Sequence, residues 1–163
     1  MSSDARSLLV IGVGNRDRGD DAVGPIVCDL LAAAGSPTIE TLVFEGSVVD
    51  LPIHWSATDR VVIVDAAAPA GEPGRITQVD ASSDRLVAPT TVSTHSVDVG
   101  AAVELARAIG RMPAELIIIG IEGSTFEFGA VLTPEVRRSA ERITEQLARP
   151  PEGVRPSPGA PER

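Results

Sequence analysis

A chain of 163 residues, 43% of them hydrophobic, is long enough for one domain with one core. Its formal net charge of −9 comes without a basic run, which argues against nucleic acid and against an anionic membrane surface as partners. Cys28 is the only cysteine, so a disulfide framework and a thiolate zinc cluster are excluded and a reducing, cytoplasmic setting is expected. The apolar run 8–13 is followed at once by polar residues, so we expect neither a signal peptide nor a membrane span.

The stretch from Leu8 to Leu31 predicts a strand, a glycine turn, an acidic loop and a helix, which together open a parallel α/β unit. The helix is expected to begin near Ala22. The turn has Gly12 and Gly14 but lacks the third glycine of a dinucleotide fingerprint, and the carboxylates of the loop would repel a pyrophosphate. We therefore interpret the loop as a cation site or a helix cap. Its three carboxylates are those of Asp17, Asp20 and Asp21.

The rest of the chain alternates between strand patterns and helical patterns. Further strands are predicted at 38–45, 60–66, 75–79 and 115–121, and helices at 47–55, at 97–109 and from Pro134 onward. Ser47 and Thr133 are the predicted caps of the first and last of these helices. The order predicts an α/β three-layer sandwich, with a twisted, mostly parallel five-stranded sheet between helices, in which 75–79 lies near an edge.

Domain organisation follows from the same reading. Residues 1–149 are predicted to form a single α/β domain. The segment 150–163 is rich in proline, glycine and charge, so it is predicted to be a disordered tail.

Three polar side chains are expected at the carboxyl edge of the sheet: Asp21, Asp65 and His95. Taken singly, each has an ordinary structural explanation, because Asp20 or Asp21 can cap a helix, a strand-end aspartate can orient a loop and a lone histidine is usually a satisfied polar residue. Taken together they favour a site, since independent caps have no reason to converge. Two carboxylates and an imidazole suit nickel, zinc, manganese or iron, and three ligands leave positions open for water or substrate.

Other reactive residues carry weaker signals. The sequence has no G-x-S-x-G motif, which makes a serine hydrolase improbable. Cys28 lies inside the first predicted helix and is interpreted as a small core residue. Glu45 and Glu122 both follow strands and are candidates for contact with the ligand set.

Six short motifs, in collinear order, resemble the nickel–iron hydrogenase maturation proteases, also called hydrogenase maturation endopeptidases. They are Gly12-Val13-Gly14-Asn15, Asp20-Asp21-Ala22-Val23-Gly24, Val64-Asp65-Ala66, Ser93-Thr94-His95, Gly120-Ile121-Glu122 and Leu132-Thr133-Pro134. The resemblance implies an endopeptidase that removes a C-terminal extension from the hydrogenase large-subunit precursor after nickel insertion. It also implies that Asp21, Asp65 and His95 bind metal and serve as the catalytic residues.

The resemblance leaves the source of the metal open. One mechanism has a divalent metal held by the three side chains, which polarises the scissile carbonyl and activates a water. In the other, nickel already seated in the precursor is what these side chains reach. The sequence departs from the family at Asp21, where glutamate is common, and at Glu45-Gly46-Ser47, where a D-G-G/T turn is common.

Two other functions remain open on the sequence alone. One is a metal-dependent hydrolase of similar fold that acts on another substrate. The other is a non-catalytic module that binds the nickel-loaded precursor and leaves cleavage to another protein.

Overall fold

The computed structural model describes residues 7–57, 59–82 and 94–149, and for residues 94–98 it describes the backbone. The predicted tail at 150–163 lies outside these residues. Five strands are present: β1 Leu8–Val13, β2 Ile39–Phe44, β3 Arg60–Ala67, β4 Ile76–Asp80 and β5 Glu115–Glu122. The α-helices are α1 Val23–Ala34, α2 Thr94–Ala108 and α3 Pro134–Ala148, and two 3-10 helices span Gly19–Ala22 and Val48–His54. We call Gly19–Ala22 the acidic turn.

The sheet has the strand order β2-β1-β3-β5-β4. The first four of these strands are parallel, with Gly12 opposite Val64 and Asp65 opposite Gly120. Strand β4 lies at the edge of the sheet, as predicted for 75–79. It runs antiparallel to β5. Because the parallel strands end at one edge, the loops that follow β1, β3 and β5 emerge side by side.

Helices cover both faces of the sheet, which confirms the three-layer prediction. On one face, α1 and α3 bury Val27 and Ile143 against alternate residues of the central strands. On the other face, α2 and the 3-10 helix Val48–His54 bury Val103 and Leu51. Strands β1 and β3 supply both clusters because successive side chains of a strand point to opposite faces. Among the described residues, no helix has the length and apolar character needed to cross a membrane.

The predicted helix caps differ from the observed ones. Ser47 does occupy the N-cap position of Val48–His54, but its side chain makes no capping hydrogen bond. That helix is a 3-10 helix and contains Pro52, whose missing N–H leaves one backbone carbonyl of the helix without its partner. Thr133 is the N-cap of α3 and Pro134 its first residue, as predicted, yet the Thr133 hydroxyl does not cap the helix. It donates to Asp20 instead.

Candidate active site

The acidic turn places two adjacent carboxylates in the protein interior. Asp20 is 0% exposed and Asp21 is 2% exposed. The prediction that one of them caps the first helix is wrong, because the N-cap positions belong to Arg18 for the 3-10 turn and to Ala22 for α1. The 3-10 turn shifts the start of α1 beyond both aspartates, and their side chains reach other parts of the chain.

Asp21 faces the turn that follows β1. Its Oδ2 atom accepts a hydrogen bond from the backbone N–H of Asn15 at 2.9 Å. Gly14 has φ +139°, and a Cβ atom there would collide with the main-chain oxygen of Asp21. Glycine at this position therefore lets the β1 turn lie directly against the acidic turn.

Asp65 lies near the end of β3, on the neighbouring strand. It is 3% exposed, and the residue before it, Val64, pairs with Gly12 of β1. The acidic turn contacts β3. The structure therefore brings Asp21 and Asp65 to the same edge of the sheet, where the sequence predicted them.

For His95, only the position of the backbone is described. Its backbone lies in the first turn of α2, whereas its side chain lies outside the described residues. Within 7–57, 59–82 and 99–149, no group of three or more histidine, cysteine, aspartate or glutamate side chains could hold a metal ion. The three-residue ligand set thus stays a prediction, with two of its carboxylates located.

An open cleft of about 360 Å³ lies beside Asp21. One wall comes from the β1 turn and Arg18, and the other comes from the end of β2 and the start of the 3-10 helix Val48–His54. The cleft thus combines apolar side chains with charges of both signs. Its lining residues are Val13, Gly14, Asn15, Arg18, Asp21, Phe44, Glu45, Gly46, Ser47, Val48 and Val49.

Asp20 has a role that sequence reasoning missed. Its carboxylate accepts hydrogen bonds from five donor groups on residues 124–133. The Oδ2 atom accepts from the backbone N–H of Ser124 at 2.8 Å and of Thr125 at 3.1 Å, and from the Ser124 hydroxyl at 3.3 Å. The Oδ1 atom accepts from the N–H and the hydroxyl of Thr133 at 2.8 and 2.9 Å. The Asp-Asp doublet was the available signal, but nothing local in the sequence identifies partners more than 100 residues away.

The two glutamates that were candidates for contact with the ligand set lie in different settings. Glu122 is 4% exposed, and its Oε1 atom accepts from the backbone N–H groups of Ala70 and Glu72 at 2.6 and 2.7 Å. It therefore orders the β3–β4 loop. Glu45 is exposed and lines the cleft.

Cys28 is a core residue, as predicted. It is 2% exposed inside α1, and its Sγ atom lies 3.7 Å from the carbonyl oxygen of Val10. Burial raises the pKa of the thiol to about 11, which disfavours the nucleophilic thiolate. Cys28 is therefore unsuited to nucleophilic catalysis.

Fold and site together define an α/β protein with buried carboxylates beside an open cleft at the carboxyl edge of its sheet, the place where this fold class holds its active sites. A model of the family described as hydrogenase maturation protease matches residues 47–149. The chain belongs to the hydrogenase maturation protease family, and it is a hydrolase of the peptidase class.

Individual relatives agree with this family. The chain is 27% identical over 140 residues to the hydrogenase expression/formation protein HupD of Bradyrhizobium diazoefficiens. This alignment covers 83% of this chain and 73% of that protein. The chain is 26% identical over 144 residues to the hydrogenase 3 maturation protease of Escherichia coli K12, in an alignment that covers 85% and 87%.

Solved structures share the fold. The solution structure of an endopeptidase from Escherichia coli superposes with a TM-score of 0.73 at 24% identity, over 86% of this chain and 89% of that one. The crystal structure of the NiFe hydrogenase maturation protease HycI from Thermococcus kodakarensis superposes with a TM-score of 0.61 at 25% identity, over 90% and 92%. The predicted fold class is confirmed by these similarities.

Proposed function

We propose that this protein is the endopeptidase that removes the C-terminal extension of a nickel–iron hydrogenase large-subunit precursor after nickel has been inserted. The observation that carries the proposal is the cleft beside Asp21, in a chain of the hydrogenase maturation protease family. A cleft with apolar and charged walls suits an extended peptide segment, which offers both side chains and backbone hydrogen-bonding groups. We therefore propose that the precursor itself is the partner. We expect the two proteins to meet in the cytoplasm.

In this proposal nickel arrives as part of the substrate. Asp21 and Asp65 would contribute carboxylate oxygens from one edge of the sheet, and His95 would contribute an imidazole nitrogen. Such a mixed oxygen and nitrogen donor set fits nickel and other divalent first-row metals. A divalent metal bound there would supply Lewis-acid polarisation of the scissile carbonyl. Recognition of nickel and permission to cleave then become one event.

The chain's own residues hold the peptide and aim the carboxylates. The Asn15 N–H fixes one oxygen of Asp21, which holds the side chain in one orientation at the cleft that it lines. Arg18 and Glu45 in the cleft walls offer a donor and an acceptor to a peptide backbone or to charged side chains. Bulk water has little access to the two carboxylates, since Asp21 and Asp65 are both buried.

The test is cleavage of purified nickel-loaded precursor, followed by mass spectrometry of the released C-terminal peptide. The wild type is expected to cleave, and both His95→Ala and Asp21→Asn are expected to abolish cleavage. Asp17→Asn is the matched control, because Asp17 is an exposed aspartate of the same loop and the charge change is identical. An intact precursor after incubation with wild type would refute the proposal, and equal losses in Asp17→Asn and Asp21→Asn would refute the assignment of Asp21.

A second experiment separates substrate-borne nickel from a resident metal. Metal analysis of the purified protein and cleavage of nickel-free precursor are measured in parallel. We expect no stoichiometric metal and no cleavage without nickel. Tight metal binding together with cleavage of nickel-free peptides would instead establish a metal-dependent hydrolase with a broader substrate range.

A further inference from the structure

The acidic turn is joined to the segment that connects β5 to α3, residues 123–133, which we call the β5–α3 loop. Besides the five donors that reach the Asp20 carboxylate, two backbone hydrogen bonds connect the acidic turn to the β5–α3 loop, and a third connects this loop to Asp17, two residues before the turn. Gly19 N donates to Ala130 O at 3.1 Å, Asp20 N to Thr125 O at 2.7 Å, and Gly129 N to Asp17 O at 2.7 Å. The acidic turn therefore cannot rotate without breaking bonds at several points.

Asp20 and Asp21 point in different directions because they are consecutive residues of a 3-10 turn, in which neighbouring side chains lie about 120° apart. One carboxylate enters the β5–α3 loop. The other faces Asn15 and the cleft. Since a single short turn carries both, fixing the direction of the first fixes the direction of the second.

Close packing at Gly123 adds to this constraint. A Cβ atom at Gly123 would come within 2.9 Å of the Asp20 Cβ atom. The β5–α3 loop therefore approaches Asp20 as closely as a glycine backbone permits. Little space is left for Asp20 to adopt another rotamer.

We propose that Asp20 is a positioning residue, which holds the acidic turn against the β5–α3 loop and so aims the Asp21 carboxylate into the cleft. The consequence for catalysis rests on the proposed function, whereas the orientation of Asp21 can be measured without any substrate. Asparagine is the informative replacement. Its amide keeps the size of the side chain but has one acceptor oxygen and an NH₂ group, so donors of the β5–α3 loop would face another donor.

The first measurement follows the Asn15 amide by two-dimensional NMR of the substrate-free protein, because this N–H bonds to Asp21 Oδ2. In Asp20→Asn we expect its resonance to shift and its hydrogen exchange to accelerate by about two- to tenfold, the range that corresponds to the net free energy of one hydrogen bond. Glu122→Gln is the matched control, since Glu122 is also a buried carboxylate that accepts from backbone N–H groups. An unchanged Asn15 amide in Asp20→Asn, or equal changes in both variants, would overturn the proposal.

The second measurement is the kinetics of precursor cleavage, at a temperature where both variants are fully folded. Asp20→Asn is expected to lower kcat by about 10–100-fold, the range typical when a partner that orients a ligand is lost, with little change in KM. Glu122→Gln is expected to retain kcat. A loss of kcat in Glu122→Gln equal to that in Asp20→Asn would assign the effect to general loosening and overturn the proposal.

If Asp20→Asn does not fold, two less disruptive substitutions at Thr133 test whether Asp20 positions Asp21. Thr133→Val removes one hydroxyl donor to Asp20 at nearly constant volume, and Thr133→Ser keeps the donor. The Asn15 amide should change in the valine variant and return to its wild-type position in the serine variant, and no change in the valine variant would refute the positioning role. If wild-type protein fails to cleave the precursor, the proposed function falls, while the Asn15 result still decides whether Asp20 positions Asp21.

Discussion

Substitution of Gly24 tests how closely α1 packs against the sheet next to the acidic turn. A Cβ atom at Gly24 would lie 2.5 Å from the carbonyl oxygens of both Val13 and Val64. These are backbone atoms of the two central strands, so neither can move aside by changing a rotamer. In Gly24→Ala, α1 would have to move away from the ends of β1 and β3, which carry the candidate site.

The expected size of the effect follows from two opposing contributions. Overpacking of this kind costs about 1–3 kcal/mol, and backbone neighbours place Gly24 at or above the upper end. The gain in helix propensity from glycine to alanine returns at most about 1 kcal/mol. We therefore expect the free energy of unfolding to fall by about 2–3 kcal/mol in Gly24→Ala, which lowers Tm by about 4–12 °C for a chain of this size.

Gly100 provides the control because it is also a helical glycine, in α2, but a Cβ atom there would meet no heavy atom of the described residues within 4 Å, apart from its chain neighbours and the backbone of its own helix. Gly100→Ala should raise the free energy of unfolding by about 0.5–1 kcal/mol. Urea and thermal denaturation of both variants measure the two values. A Gly24→Ala protein as stable as Gly100→Ala would refute the packing of α1 against β1 and β3.

Three further predictions concern ionisation and exposure. Burial raises the pKa of the Cys28 thiol from 9.0 to about 11, so its contribution to stability is present below pH 9 and is lost as the pH rises toward 11. Urea denaturation should therefore show a larger loss of unfolding free energy between pH 8 and pH 10.5 for wild type than for Cys28→Ala, and equal losses would contradict this. The hydrogen bond from Arg16 lowers the pKa of Asp29, so the small stabilisation from this exposed ion pair is present above pH 3.8 and is lost as the pH falls through the lowered pKa. NMR titration should show a higher pKa for Asp29 in Arg16→Ala than in wild type, and an unchanged pKa would contradict the ion pair. Phe128 is 77% exposed and Leu51 is 0% exposed. Chemical denaturation should therefore show an unfolding free energy within about 0.5 kcal/mol of wild type for Phe128→Ala and lower by about 2–5 kcal/mol for Leu51→Ala. Comparable losses in the two variants would show that Phe128 is buried.

Most of the fold could be predicted because its strands carry a strong local signal. The run at 60–66 is apolar on both faces, which only a central strand needs, and it became β3 at Arg60–Ala67. Strand β4 alternates weakly and lies at the edge. Its antiparallel direction could not be predicted, because direction depends on the tertiary path between strands and not on the pattern of one strand.

The helix caps were harder to predict because a polar side chain before a helix has several possible partners. Thr133 has the sequence context of a cap, but its side chain can turn either toward the first N–H groups of α3 or toward the Asp20 carboxylate. A hydroxyl can donate to a carboxylate but can only accept from N–H groups, and a charge-assisted bond to a carboxylate is stronger than an ordinary cap. The presence of Asp20, 113 residues earlier, decides the outcome, and local sequence cannot report it.

The position of His95 can be argued from the path of the chain. Helix α2 ends at Ala108, and β5 begins at Glu115, so the C-terminal end of α2 lies near the amino edge of the parallel strands. A helix of 15 residues is about 22 Å long, close to the length of β5, and α2 packs against β3. From the amino edge, α2 therefore extends back along the sheet, and we infer that its first turn, with the His95 backbone, lies toward the carboxyl edge. The same strand directions bring Asp65 to this edge, so the path of the chain agrees with the convergence predicted from three separate motifs, which stays a prediction for the His95 side chain.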